Sequence, residues 1–240
     1  MPEETSTRSK PQSANLVQAG LDNVDCPICG NTGNIPFKDE NGCDWGKECE
    51  CMERRRALRN IANSNMVDEL KMYNFGNYET PTEETKRIKQ KAMLFVNNDA
   101  KGFLIAGQSG AGKTHICSAM CGAFLEKEIE TKYFKWRKDA PRLKAMVNDS
   151  KEYNEEINRL HNVPVLYIDD FWKGNITDGD INLAFTIIND RYTRQKSKTI
   201  ISTELTASEL VEVDEAVGGR ILEMSKGFII KAPNLNWRIE

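Results

Sequence analysis

The sequence predicts an α/β protein, a five-stranded parallel sheet between helices, preceded by a small module built on cysteines. Three observations carry this. Gly107-Gln108-Ser109-Gly110-Ala111-Gly112-Lys113-Thr114 matches the phosphate-binding loop pattern GxxxxGK[ST] at every fixed position. It sits between a short apolar strand over 102–106 and a run in which Ile116, Ala119, Met120, Ala123 and Phe124 recur at helical spacing. A second apolar run, 163–168, is closed by the acids Asp169 and Asp170, the form of a strand that delivers carboxylates to a nucleotide site. Five of the seven cysteines crowd into positions 26, 29, 43, 49 and 51, far denser than ordinary usage.

The 240 residues provide for one sizeable domain and a small appendage. With 39% hydrophobic and 29% charged residues the chain reads as globular, and no apolar run approaches the ~18 residues of a membrane span. The N-terminus lacks a basic stretch followed by an apolar one, so a cytoplasmic protein with reduced cysteines is expected, and no membrane partner. Net charge is −3, from 33 basic and 36 acidic residues, so any nucleic-acid contact must come from local patches.

Residues 1–23, rich in Glu, Ser, Thr, Gln and Pro, read as a tail, with Leu16, Val17 and Leu21 as a short amphipathic piece. The module follows over 24–60. Cys26-Pro27-Ile28-Cys29-Gly30 has the form of one half of a zinc knuckle, and Cys49-Glu50-Cys51 supplies the other across a loop containing Gly33, Gly42 and Gly46. Cys26, Cys29, Cys49 and Cys51 would close a tetrahedral, structural Zn²⁺ site. Spacing alone leaves open Cys43 as a ligand in place of Cys49 or Cys51, an iron–sulfur cluster, and free buried thiols.

A helix over 53–63 carries Arg54, Arg55, Arg56 and Arg59, read either as phosphate contacts or as a solvated face. Residues 61–98 form a linker and a leading helix over 83–97. Tyr73, Phe75 and Tyr78 cluster just before that helix, for stacking on adenine or for packing. The core, 99–240, continues with strands over 131–134, 198–204 and 227–231 and a helix over 181–194. Between Lys132 and Lys144 lie six basic residues around Trp136. They suit a single-stranded nucleic-acid track with a stacking platform, or an amphipathic connection that buries Leu143 and Met146. Cys117 and Cys121, one helical turn apart, read as small buried side chains.

The motifs give each site residue a task. Loop residues 107–114, with His115 after them, form the ATP-binding set, in which backbone amides and the helix N-terminus meet the phosphates and Lys113 reaches the outer ones. Thr114 and Asp169 would hold Mg²⁺, and Asp170 would orient or deprotonate the attacking water.

Together these residues resemble the bacterial and phage replicative helicase loaders of the DnaC/DnaI type. The likeness covers roughly 26–238 and rests on the four-cysteine module, the Walker A loop 107–114, the Walker B strand ending Asp169-Asp170, the helix ending Asn189-Asp190-Arg191-Tyr192, and Gly219-Arg220-Ile221. It implies an AAA+ core in which the Walker B strand is not beside the phosphate-loop strand. It implies further a slow ATPase and an N-terminal module that grips the hexameric helicase while the core binds ATP and single-stranded DNA. Arg220 matches the arginine finger that completes a neighbouring subunit's site, which implies self-association through the ATP site. The first sensor position falls at Thr203 or Glu204, Asp170 replaces the Glu common in AAA+ proteins, and no helical lid is expected after Lys231, which leaves Arg238 a weak match to a second sensor. The competing readings are a transposition-helper ATPase of the IstB type and a zinc-dependent DNA- or protein-binding adaptor with structural nucleotide.

Overall fold

The computed structural model describes residues 25–148 and 150–233, so the tail with Leu16, Val17 and Leu21, and Arg238, lie outside the described residues. The glycine-containing loop expected between the cysteine pairs is an antiparallel hairpin, β1 (Asn34–Lys38) and β2 (Asp44–Glu48), with Phe37 opposite Trp45. Helix α1 (Cys51–Asn63) begins on the last cysteine of the module and buries Ala57, Leu58 and Ile61 at its other end, so it runs through the boundary expected at residue 60. Helix α2 (Val67–Met72) and the loop 73–81 lead to α3 (Glu83–Val96), which starts where Thr82 and Thr85 close a reciprocal capping box.

The core alternates strands and helices. It runs β3 (Gly102–Ala106), α4 (Lys113–Glu126), β4 (Thr131–Lys135), α5 (Trp136–Ala145), α6 (Ser150–Asn162), β5 (Val165–Phe171), α7 (Asp178–Thr193), β6 (Lys198–Thr203), α8 (Ala207–Val213), α9 (Glu215–Met224) and β7 (Ile229–Lys231). The strands pair in the order β4-β5-β6-β3-β7, all parallel. β6 thus separates the Asp169 strand from the phosphate-loop strand, the AAA+ order. Side chains alternate between the two faces as strand geometry requires. Phe103, Ile105, Tyr167 and Ile200 pack with α1–α4, whereas Leu104, Leu166, Ile168 and Ile201 pack with α5–α9. Cys117 and Cys121 are buried in the first of these layers.

Two expectations change. Trp136 is only 4% exposed and packs edge-on against Phe134 and Phe171, so it is core and offers no stacking platform. Four of the six basic residues around it are paired with acids: Lys132 and Arg142 with Glu156, Lys135 with Glu69, Lys144 with Asp180. Arg137 and Lys138 remain exposed. Arg191, part of the motif at the end of α7, is fully buried. Its guanidinium donates to Thr199 Oγ1 (2.8 Å) and to the carbonyls of Leu160 (2.8 Å), Val163 (3.0 Å), His161 (3.3 Å) and Lys198 (2.6 Å), so it staples α6, α7 and β6 together.

Candidate nucleotide site and cysteine cluster

The loop after β3 reaches α4 only because Gly110 and Gly112 hold φ of +83° and +77°, the left-handed region that side chains rarely occupy. These turns let the backbone close around a small volume at the start of α4, where unpaired N–H groups gather. Lys113 folds back over the loop and donates from Nζ to the carbonyls of Gly107 (2.6 Å) and Gln108 (2.8 Å). Burial lowers its pKa, opposed by the nearby carboxylates of Glu204, Asp170 and Asp169.

A cleft of about 410 Å³ opens here, lined by Ser109, Gly110, Gly112, Lys113, Thr114, His115, Asp170 and Lys173 from the core and by Tyr73, Asn77, Tyr78 and Glu79 from the loop before α3. Five residues of the sequence-derived loop set and His115 therefore line one cleft, while Gly107 and Gln108 accept from Lys113 through their carbonyls and Ala111 is buried. His115 Nε2 lies 3.2 Å from the Asn74 carbonyl and 2.9 Å from Asn77 Oδ1, and its ring contacts both Tyr73 and Tyr78. The imidazole thereby fixes the aromatic loop at the mouth of the cleft. Burial lowers its pKa, so it is neutral at pH 7.

Asp169 and Asp170 stand in different surroundings. Asp169 is 8% exposed and accepts hydrogen bonds from Tyr133 Oη (2.7 Å), Tyr167 Oη (2.7 Å), Ser202 Oγ and the Asp170 N–H (3.1 Å). Thr114 Oγ1 is 3.4 Å from each of its oxygens. Threonine hydroxyl and carboxylate are hard oxygen donors of the kind Mg²⁺ takes. At Asp170 the β5 ladder slips, between Ile168 and Phe171, and the residue holds φ +52°, followed by Trp172 at +55°. This turn takes Asp170 out of the pleat and into the cleft, where its carboxylate meets Lys173 Nζ at 3.3 and 3.5 Å. Non-glycine residues in the left-handed region are costly, and such strain collects at functional sites. Thr203, one of the two sensor candidates, is buried and donates to the Phe171 carbonyl (2.9 Å); Glu204, the other, pairs with Lys173 at 2.8 Å.

Arg220 lies on α9, away from the residues that line this cleft. It stacks over Phe185 (5.2 Å to the ring centre) and Tyr192 (5.8 Å) and donates from Nη1 to the Ala216 carbonyl.

The sulfurs of Cys26, Cys29, Cys49 and Cys51 all lie within 4.8 Å of one another, with Cys26–Cys49 at 3.7 Å and Cys29–Cys51 at 3.6 Å. Tetrahedral zinc–thiolate bonds of ~2.3 Å would set sulfurs roughly 3.8 Å apart, so these four fit such an ion. Although partial burial opposes it, hydrogen bonds from the Gly33 N–H and neighbouring thiols bring the Cys29 thiol down to about 6. Cys43 is exposed at the hairpin turn and lies outside this group of four.

Sequence reasoning missed Tyr133, Tyr167, Ser202 and Lys173. The two tyrosines stand opposite each other in the β4–β5 register and stack at 5.0 Å. Hydroxyls on one face of otherwise apolar strands were the available signal.

The model of the IstB-like ATP binding protein family matches residues 46–223. Two Bacillus subtilis (strain 168) proteins are similar. Uncharacterized protein YqaM is 28% identical over 201 residues, which cover 78% of this chain and 63% of that protein. Phage-like element PBSX protein XkdC is 28% identical over 235 residues, covering 90% and 86% respectively. Among solved structures, the DnaC helicase loader matches with a TM-score of 0.58 at 24% identity, over 67% of this chain and 96% of that one, a likeness of fold. With the phosphate loop, the paired acids and the strand order on β3, β5 and β6, the chain belongs to the IstB-like ATP binding protein family, and its core has the AAA+ fold.

Proposed function

We propose that the protein is a helicase loader, which grips a replicative hexameric DNA helicase through the cysteine module and uses ATP as the switch that delivers it onto single-stranded DNA. The observation that carries this reading is the module itself. Ile28, Phe37 and Trp45 are 64, 48 and 58% exposed on it, an apolar surface offered to another protein and joined to the ATPase core by the single helix α1. The similarity of the core's fold to a helicase loader supports it.

Zn²⁺ on Cys26, Cys29, Cys49 and Cys51 would make the module fold; Mg²⁺ on Thr114 and Asp169 would neutralise phosphate charge. Around the nucleotide, loop amides and Lys113 hold the phosphates, Tyr73 and Tyr78 flank the base, and Asp170 takes a proton from the attacking water. Arg220, outside its own cleft, would reach the site of a neighbouring copy, so that the chain self-associates on ATP. Of the six basic residues around Trp136, the exposed Arg137 and Lys138 are the ones proposed to meet DNA phosphates. Among the described residues no helix is long and apolar enough to cross a membrane; the cytoplasmic setting is part of the proposed reading.

The test is co-sedimentation with hexameric helicase of the full chain and of a chain lacking residues 1–50. The cut stops before α1 because Ala57, Leu58 and Ile61 belong to the core. The truncated chain should bind ATP and lose helicase; a truncated chain that still binds helicase fully would refute the assigned role of the module. A second reading, a transposition-helper ATPase acting on duplex DNA, is favoured by the family's description and predicts duplex-stimulated hydrolysis without helicase binding.

A further inference from the structure

The cleft holds one cation that the phosphate-loop motif does not account for. Lys173 lines it beside Lys113 and Thr114, and its ammonium bridges the ends of two strands, Asp170 near the end of β5 and Glu204 just after β6. β6 is the strand between β5 and the phosphate-loop strand β3, so this bridge lies where the carboxyl ends of the three strands converge, the usual place for a ligand in an open parallel sheet.

Its main chain is fixed. The Lys173 N–H donates to the Asp170 carbonyl (3.1 Å), and Trp172, 1% exposed, stacks on Phe171 at 4.6 Å, so the turn is pinned and only the four-carbon stem can move. Charge supplies a reason for it to move. A triphosphate in this cleft would lie among the carboxylates of Asp169, Asp170 and Glu204, while the Lys113 ammonium is the motif's single cation. An ammonium shared between two carboxylates can exchange one of them for a phosphate oxygen, which offers a stronger charge-assisted hydrogen bond.

We propose that Lys173 is a second phosphate-contacting cation, which passes from Asp170 and Glu204 to the outermost phosphate of ATP and so makes the cleft distinguish ATP from ADP. This deepens the reading of the cleft as an ATP site and rests on it; Lys113→Ala, which should weaken both nucleotides, tests that reading separately.

The experiment is calorimetric titration of the full chain, with Mg²⁺ present, against ADP and against the β,γ-imido analogue of ATP. Lys173→Ala and Lys173→Gln should each weaken the analogue on the order of tenfold or more and ADP by less than about threefold, as expected for one charged hydrogen bond made to the outer phosphate alone. Lys173→Arg should recover most of the preference, and Glu204→Gln, which removes a competitor for the ammonium, should tighten the analogue. The two neutral replacements and the ratio of two affinities on one sample separate the effect from poor folding. Equal losses for both nucleotides, or no loss for either, would overturn the proposal.

Discussion

Removing metal from the cysteine cluster should unfold the module and spare the ATPase core. Within residues 25–50 the buried apolar side chains are those of Cys26 and Cys49, and both hairpin strands are exposed almost throughout. Ordering each residue costs on the order of 1 kcal/mol, which a two-stranded ladder without a core does not offset. The four sulfurs must therefore supply the difference. Structural zinc contributes roughly 10–16 kcal/mol, about 2.5–4 kcal/mol per thiolate, so replacing one ligand by Ser should weaken metal binding about a hundredfold or more. Metal content and limited proteolysis read this directly. Cys26→Ser, Cys29→Ser, Cys49→Ser and Cys51→Ser should lose metal and become cleavable between 25 and 50, whereas Cys43→Ser should keep one ion per chain, since its sulfur is outside the cluster. Chelated wild type should show the same cleavage while the remaining fragment still binds ATP. A hairpin that stays protease-resistant without metal, or metal lost on replacing Cys43, would refute the reasoning.

Lys113→Ala should abolish tight ATP binding, and Asp170→Asn should retain it while slowing single-turnover hydrolysis at least about a hundredfold, the usual contribution of a positioned base. Arg191→Met should leave the Leu160, Val163 and Lys198 carbonyls without their donor, at about 1 kcal/mol or more for each unsatisfied acceptor and so about 3 kcal/mol in all; at roughly 2 °C or more per kcal/mol, a calorimetric midpoint should fall by at least about 6 °C. His115 and His161 both titrate below the ordinary 6.5, because burial disfavours their charged forms. The unfolded chain therefore binds more protons just below that pH, so stability is full above about 6.5 and falls as pH drops through the window beneath it. Urea midpoints measured from about pH 7 to 5.5 should show this slope, reduced in a His115→Gln/His161→Gln chain.

What the sequence revealed depended on whether a residue's task is local. The phosphate loop needs glycines and a lysine at fixed spacing between a strand and a helix, and the core strands are buried enough to read as apolar runs, so both were legible. The hairpin was not, because β1 and β2 bury neither face and carry no alternation. Trp136, flanked by Lys135 and Arg137, could be read either as an exposed platform or within a buried amphipathic connection, because its neighbours in the chain are charged; its burial is decided by Phe171, a strand away. Arg191 could be recognised as part of a motif but not as a staple, since four of its five partners are main-chain carbonyls, which leave no mark in a pattern of side chains.

The two adjacent acids illustrate how one sequence pair receives two chemistries. Strand alternation alone would have sent Asp169 and Asp170 to opposite faces of the sheet, leaving one of them remote from the nucleotide. The slip in the β5 ladder and the left-handed turn at Asp170 keep both at the cleft. Tyr133, Tyr167 and Ser202 donate to Asp169 from three strands and fix its oxygens toward Thr114, the condition for a metal ligand. No such hydroxyls hold Asp170. Its partner is the mobile ammonium of Lys173, which a phosphate can draw away, and a carboxylate so released has lone pairs free for water. The proposed division of labour, metal ligand and base, thus follows from which donors each carboxylate meets.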